Sequence, residues 1–356
     1  MANAAWSHFH ARLHQTLRDR SFLPAHRSLL VAVSGGQDSL CLIRLLLDLQ
    51  PHWNWRLGIA HCNHCWRSDS DANAAHVKQL AETWQLTFHS ITATEPPRSE
   101  AAARNWRYQA LTEIAQQQNY GYIVTGHTAS DRAETLLYNL LRGSGTDGLQ
   151  ALSWQRELAP RIWLTRPLLE FTRAETAQVC QAQGLQVWED ATNHDLKFRR
   201  NRIRAELIPY LQTHFNPQVE SSLAQTAELL QADVDYLESA ASSLLRQACP
   251  EFEAFQSIDR FAQPQQADHL PSAQPVPSLD RTILKSAPLA IQRRAIRQFL
   301  QQILPQSPNF DQIEKLVALI EAPNRSQTDP FPGGTIAQVN HNWIVFQTSF
   351  LGNRKT

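Results

Sequence analysis

Cysteine is scarce in this 356-residue chain: five residues, at positions 41, 62, 65, 180 and 249, odd in number and scattered. That usage argues against a disulfide framework and fits a reducing compartment. Long apolar runs are lacking as well, so no stretch reads as a membrane span. The stretch MANAAWSHFHARLHQTLRDR has no apolar signal-peptide core, and a cytoplasmic protein without membrane contact is expected. No internal repeat is found. Net charge is also missing, at +0, but the balance is local. Residues 1–204 carry 22 Lys+Arg against 18 Asp+Glu, residues 205–280 carry 2 against 11, and residues 281–356 carry 9 against 4. Two basic ends around an acidic span could hold a polyanion, although imbalance on this scale often marks a solvated face.

What is present begins with LLVAVSGGQDSLCLIRLLLDLQ at 29–50: an apolar strand, a tight turn and an apolar-periodic helix. Ser34, Gly35, Gly36, Gln37, Asp38 and Ser39 form the turn. Two glycines that allow close backbone approach, flanking hydroxyls and the free N–H groups of a new helix make a phosphate site. No Gly-Lys-[Ser/Thr] follows, which excludes a Walker A loop, and a third glycine for a dinucleotide fingerprint is lacking. The full SGGQDS after a buried strand resembles the pyrophosphate loop (PP-loop) of ATP pyrophosphatases, which adenylate a substrate and release pyrophosphate.

Further along, a helix is expected over 5–20 with Trp6, Phe9, Leu13 and Leu17 on one face, then alternating strands and helices up to LQVWED at 185–190. This alternation predicts an α/β fold, a doubly wound parallel sheet with ligands outside the carboxyl ends of its strands. A helical connector and Pro/Gln-rich linker over 216–280 and a small C-terminal α+β domain over 281–356 complete the expected organisation, with residues 1–215 as the catalytic domain.

Several constellations carry two readings. HCNHCWR (61–67) suggests metal or redox chemistry, but no second ligand pair stands out, and a polar cluster of His61, Asn63, His64 and Arg67 is preferred. Glu100, Arg104 and Arg107 share a helix face, either as a surface ion-pair ladder or as neutralisers of pyrophosphate. Asp131 and Glu134 share a face at a helix start, where carboxylates are ordinary residues or could bind Mg²⁺ or an ammonium group. His127 ends the strand before them and could accept a proton or donate to phosphate. Arg199, Arg200, Arg202 and Arg204 form a solvated helix start or contact RNA phosphates.

SGGQDS, the His-x-Asn-His-x-x-Arg of 61–67, EAAARNWRY (100–108), GHTASDRAET (126–135), LLRGSGTDGL (140–149) and WEDATNHDLKFRRNRIRAELIP (188–209) together resemble the tRNA(Ile)-lysidine synthetase family. Trp66 departs from the family's usual Leu, and the C-terminal domain is matched weakly, through the PGG at 332–334. The resemblance implies ATP-dependent ligation of lysine to ring position 2 of the wobble cytidine in a CAU-anticodon isoleucine tRNA, through an adenylated intermediate. It also implies that Ser34 to Ser39 hold ATP and that Asp38 helps bind Mg²⁺. Arg104, Arg107 and His127 would stabilise developing charge, Asp131 and Glu134 would bind lysine, and Arg199, Arg200, Arg202 and Arg204 would contact tRNA. Whether the chain forms a homodimer stays open. A tRNA thiolase using Cys62 and Cys65 is the nearer rival, a glutamine-dependent amidotransferase is disfavoured by the lack of an N-terminal nucleophilic cysteine, and a non-enzymatic RNA-binding module is the remaining one.

Overall fold

The computed structural model describes residues 6–66, 68–188, 195–249 and 278–348. Arg67 and almost all of the linker expected at 250–280 lie outside these residues. The chain divides into two compact units, Met1–Gln231 and Ala232–Thr356.

In the first unit, α1 (His8–Arg20) precedes β1 (Ser28–Ala32), α2 (Gln37–Trp53), β2 (Arg56–Asn63), α3 (Ser70–Thr83), β3 (Thr87–Thr92), α4 (Glu100–Gln117), β4 (Tyr122–Thr125) and α5 (Ala129–Leu141). A short α6 (Thr146–Leu149), β5 (Gln155–Ala159), β6 (Ile162–Thr165) and α7 (Arg173–Ala182) follow. The sheet runs β3-β2-β1-β4-β6-β5. Every neighbouring pair is parallel except the last, where β5 and β6 form an antiparallel edge hairpin. β5 escaped the sequence reading because QRELA is polar and half exposed, as suits an edge, and lacks an apolar run. The expected strand at 185–190 is not formed over 185–188, and its last two residues lie outside the described set.

Strand order reverses direction between β1 and β4, and the crevice at such a switch point is where doubly wound sheets bind ligands. SGGQDS leaves β1 and GHTASD leaves β4, so both open at that crevice. Leu29, Leu30 and Val31 of β1 are fully buried, as are Leu40, Leu42, Ile43, Leu45 and Leu46 of α2. The turn between them therefore stands on a rigid base. Phe9, Leu13 and Leu17 of α1 join this core, whereas Trp6 precedes the helix and is half exposed.

The tail of this unit is one irregular helical segment: α8 (Arg199–Arg202), a π-helical turn (Ile203–Leu207) and α9 (Ile208–His214). A long helix, α10 (Val219–Ala248), then spans the boundary between the units. Its Glu228 accepts from Arg132 Nη1 at 2.6 Å, Trp154 Nε1 at 2.7 Å and Arg20 Nη1 at 2.8 Å. These bonds fasten the first part of α10 to the first unit, which runs to Gln231.

In the second unit, β7 (Ser278–Asp280), α11 (Arg281–Lys285), α12 (Leu289–Ile303), α13 (Phe310–Glu321), β8 (Thr335–Asn340) and β9 (Trp343–Thr348) follow. The antiparallel sheet β7-β9-β8 and the helices enclose a core that includes Ile296, Phe299, Leu316, Ile344 and Phe346.

Candidate active site

The turn after β1 is fixed from several directions. Gly35 takes φ +87°, and a side chain there would meet the Asn73 carboxamide oxygen at 2.3 Å. Asn73 Nδ2 donates to the Ser34 carbonyl at 2.9 Å, and the Trp188 backbone N–H donates to the Gly35 carbonyl at 2.9 Å. Ser39 Oγ donates to the Gly36 carbonyl at 2.8 Å. Gly36 is the N-cap of α2, so the first N–H groups of that helix face the crevice without side-chain partners. Gln37 contributes its backbone, because its carboxamide is committed to the Arg173 carbonyl at 2.6 Å and Thr176 Oγ1 at 2.7 Å. Gly126 approaches so closely that a Cβ would lie 2.7 Å from the Asp38 carbonyl oxygen. The turns after β1 and β4 are thus packed backbone to backbone.

A cavity of about 750 Å³ opens over these turns. Ser34, Gly36, Gln37, Asp38, Ser39, Arg107, His127, Asp131 and Arg204 line it, so most residues singled out from the sequence meet in one place. Glu134 lies just behind, 3% exposed. Arg104 stands beside the lining residue Tyr108, with its guanidinium 5.4 Å from the ring centre.

Arg173, at the start of α7, organises the carboxylates. Its Nε donates to Asp38 at 3.2 Å, Nη1 to Glu134 at 3.1 Å and Nη2 to Asp131 at 3.0 Å. Burial works against its charge, but Asp131, Asp38 and Glu134 outweigh that and raise its pKa. Arg204 adds a two-pronged contact to Glu134, at 2.6 and 2.9 Å. The residue expected on RNA therefore sits inside the carboxylate cluster. Asp38 also accepts from Thr176 Oγ1, and burial pushes its pKa upward. When all three carboxylates are ionised, the two guanidinium groups leave one negative charge over.

Asp131 divides its two oxygens between a helix cap and the arginine. One carboxylate oxygen closes the N-terminal capping box of α5, accepting from Thr128 N at 2.8 Å and Thr128 Oγ1 at 2.9 Å. The other faces Arg173. Burial would raise its pKa, but Arg173, His127 and the Thr128 N–H prevail and lower it. His127 shares a 2.9 Å hydrogen bond between Nδ1 and Thr125 Oγ1. Burial, reinforced by Arg166, pushes its pKa down to about 3, so the ring is neutral near pH 7.

Arg200 reaches Thr135 Oγ1 at 3.3 Å, while Arg199 and Arg202 face away from this cavity into a second cleft. Arg173, Thr176, Tyr108 and Asn73 were not singled out from the sequence. Arg173 had a faint signal, as the residue that opens a helix after a strand-end turn. Burial pushes the Cys62 thiol up to about 11, away from the thiolate that redox or sulfur-transfer chemistry needs.

Comparison with known proteins matches residues 6–211 to a PP-loop domain and residues 279–342 to a TilS substrate binding domain. The chain is 61% identical over 342 residues to a tRNA(Ile)-lysidine synthase of Nostoc sp. (strain PCC 7120), covering 96% of this chain and 97% of that one. It is 50% identical over 348 residues to the Synechocystis sp. (strain PCC 6803) protein of the same name, covering 96% and 98%. In fold it is similar to a U34-tRNA thiolase from Methanococcus maripaludis, with a TM-score of 0.54 and 14% identity, covering 62% of this chain and 77% of that one. On sequence identity across nearly its whole length, the chain belongs to the tRNA(Ile)-lysidine synthase family.

Proposed function

We infer that the chain ligates L-lysine to the wobble cytidine of the CAU-anticodon isoleucine tRNA, using ATP to adenylate the ring oxygen at position 2 and releasing pyrophosphate and then AMP. The observation that carries the reading is the shared cavity, with a phosphate-binding turn on one side and a carboxylate cluster of net negative charge on the other.

Each half has a chemical task. The ring oxygen is a poor leaving group, and transfer of AMP onto it makes a good one. The backbone N–H groups at the start of α2 and the hydroxyls of Ser34 and Ser39 would hold the phosphates, with Arg104 and Arg107 neutralising charge on the departing pyrophosphate. The one negative charge left over the cluster of Asp38, Asp131 and Glu134 would attract the lysine ammonium group. His127, neutral and hydrogen-bonded, would donate to a phosphate oxygen. It is too weak a base to deprotonate an amine whose pKa is about 10.4.

Mg²⁺ fits the donor set in a limited way. Such ions take one or two carboxylates and complete their shell with substrate phosphates and water, and Asp38 is the carboxylate within the phosphate turn. It would hold the ion once Arg173 yields one of its oxygens, and the ion would supply charge neutralisation on the phosphates. A cytoplasmic location accords with the reading. Among the described residues, no helix is long and apolar enough to cross a membrane.

The second unit, where the substrate binding match lies, would grip the tRNA. Its basic charge is largely committed within the unit: Arg293 to Glu314, Arg294 and Arg297 to Glu238, Lys285 to Glu321 and Lys315 to Asp329. Shape would therefore contribute beside charge. The test is to incubate tRNA with ATP labelled in its α-phosphate. Label should join the tRNA and leave as AMP when lysine is added. Label that never joins the RNA would contradict the reading.

A further inference from the structure

A second cleft, of about 560 Å³, lies between the C-terminal half of α5 and the segment 199–210. Tyr138, Arg142, Arg199, Arg202 and Tyr210 supply its chemistry. None of the residues named above for adenylation or lysine binding lines it. Its apolar and aromatic surface is open to water: Leu141 is 70% and Tyr210 is 56% exposed. Exposed apolar surface gathered in one patch marks an interaction site, where singly scattered residues do not.

The charges are unequal. Glu206 is the carboxylate of the lining, and it pairs with Arg202 at 3.2 Å. Among the described residues, neither Arg142 nor Arg199 has a carboxylate within 4.0 Å. Arg142 instead donates to the Tyr138 hydroxyl at 3.3 Å, with its guanidinium 5.3 Å from that ring's centre. Tyr210 is backed by His214, ring centres 4.5 Å apart. Aromatic rings with guanidinium groups beside them are the platform on which unstacked bases bind while the cations take the phosphates.

Position ties this cleft to the catalytic cavity. Glu134 and Tyr138 are four residues apart on α5, which places them on one face about 6 Å apart along the axis. The facing segment likewise reaches both places. Arg204 reaches into the carboxylate cluster while Arg199, Arg202 and Tyr210 line the cleft.

We propose that this cleft is a nucleotide subsite, which takes one unstacked base of the anticodon loop adjacent to the cytidine in the catalytic cavity. Tyr138 and Tyr210 supply the stacking surface, and Arg142 and Arg199 hold the flanking phosphates. The proposal rests on the tRNA reading and adds a residue-level determinant of which loop is accepted. An RNA occupant is favoured over a protein because the lining carries excess positive charge and aromatic faces and adjoins the cavity where the reacting base must sit.

The experiment measures binding of an anticodon stem-loop RNA to the full chain, with an abasic nucleotide placed at each loop position in turn. Tyr210→Ala should weaken binding of the intact loop roughly five- to a hundredfold, the effect of losing one stacked base, and Tyr210→Phe should restore it. One abasic position next to the wobble nucleotide should weaken the wild type by a similar factor and leave Tyr210→Ala unaffected. ATP affinity should stay unchanged in both variants. The proposal is overturned if Tyr210→Ala binds the intact loop like the wild type, or if both proteins respond alike to every abasic position. It is equally overturned if Tyr210→Ala keeps RNA affinity but loses self-association by sedimentation, which makes the cleft an interface between copies. Failure of the lysine-transfer reading would show separately, as wild-type protein that binds the loop but forms no lysine adduct.

Discussion

Arg204 holds both oxygens of Glu134, with Nε 2.6 Å from one and Nη2 2.9 Å from the other. An arginine and a carboxylate seventy residues apart in sequence, expected to serve different substrates, form one bidentate pair. With Arg173 on the same carboxylate, Glu134 meets two guanidinium groups before any substrate arrives. A lysine ammonium group bound here would share this cluster with two guanidinium groups.

From that arrangement, Glu134→Gln should weaken lysine binding by about tenfold or more, the scale of one lost charge-assisted hydrogen bond. ATP binding should change little, because the phosphate turn is held by Asn73, Trp188 and Gly126. Equilibrium binding of each ligand separately checks both halves.

His127 gives a pH prediction. Its folded pKa is pushed down to about 3, below the ordinary value of 6.5, so the unfolded chain binds the proton first. The contribution is fully present above about pH 6.5 and is lost as pH falls towards 3, with a slope of up to about 1.4 kcal/mol per pH unit. Denaturant unfolding between pH 4 and 7 should show this slope in the wild type and a shallower one in His127→Asn.

Asp38→Ala should abolish pyrophosphate release in Mg²⁺ while the fold persists. The side chain lies at the first turn of α2 on the edge of the cavity, and its loss leaves the apolar core beneath untouched. Circular dichroism tests the fold, and a coupled pyrophosphate assay tests the chemistry. Near-normal release would remove Asp38 from the reaction.

Glu228 makes a stability prediction. Arg132 is 2% exposed and relies on Glu228 for its charge, with the Leu152 carbonyl taking two of its other N–H groups. Glu228→Ala should cost about 2–3 kcal/mol, below the full penalty for a broken buried pair because Glu228 itself is partly exposed. Truncation at residue 215 removes the same partner and should leave a less stable fragment than truncation at 231. Chemical denaturation ranks all three proteins.

Much of the site was legible in the sequence because its residues cluster in short stretches at strand ends. Ser34 to Ser39, His127 and Asp131 each follow a buried strand, and the sheet order carries those strand ends to one crevice. Arg173 was hidden for the opposite reason. Its role comes from facing Asp38, Asp131 and Glu134 across the crevice, a convergence of three separate helix starts that no local pattern encodes. Arg199 to Arg204 looked uniform as a sequence run. Helical spacing divides them, with Arg204 turned to the carboxylates and Arg199 and Arg202 to the second cleft. The edge strand β5 was missed because edge strands need not be apolar.

The central claim is that one cavity adenylates the wobble cytidine and then exchanges AMP for lysine. Mass analysis of the wobble nucleoside after incubation with ATP, lysine and the CAU-anticodon isoleucine tRNA tests it most directly. The account predicts replacement of the ring oxygen by lysine, dependent on all three substrates. A sulfur-for-oxygen exchange, or an unchanged cytidine while ATP is consumed, would contradict it.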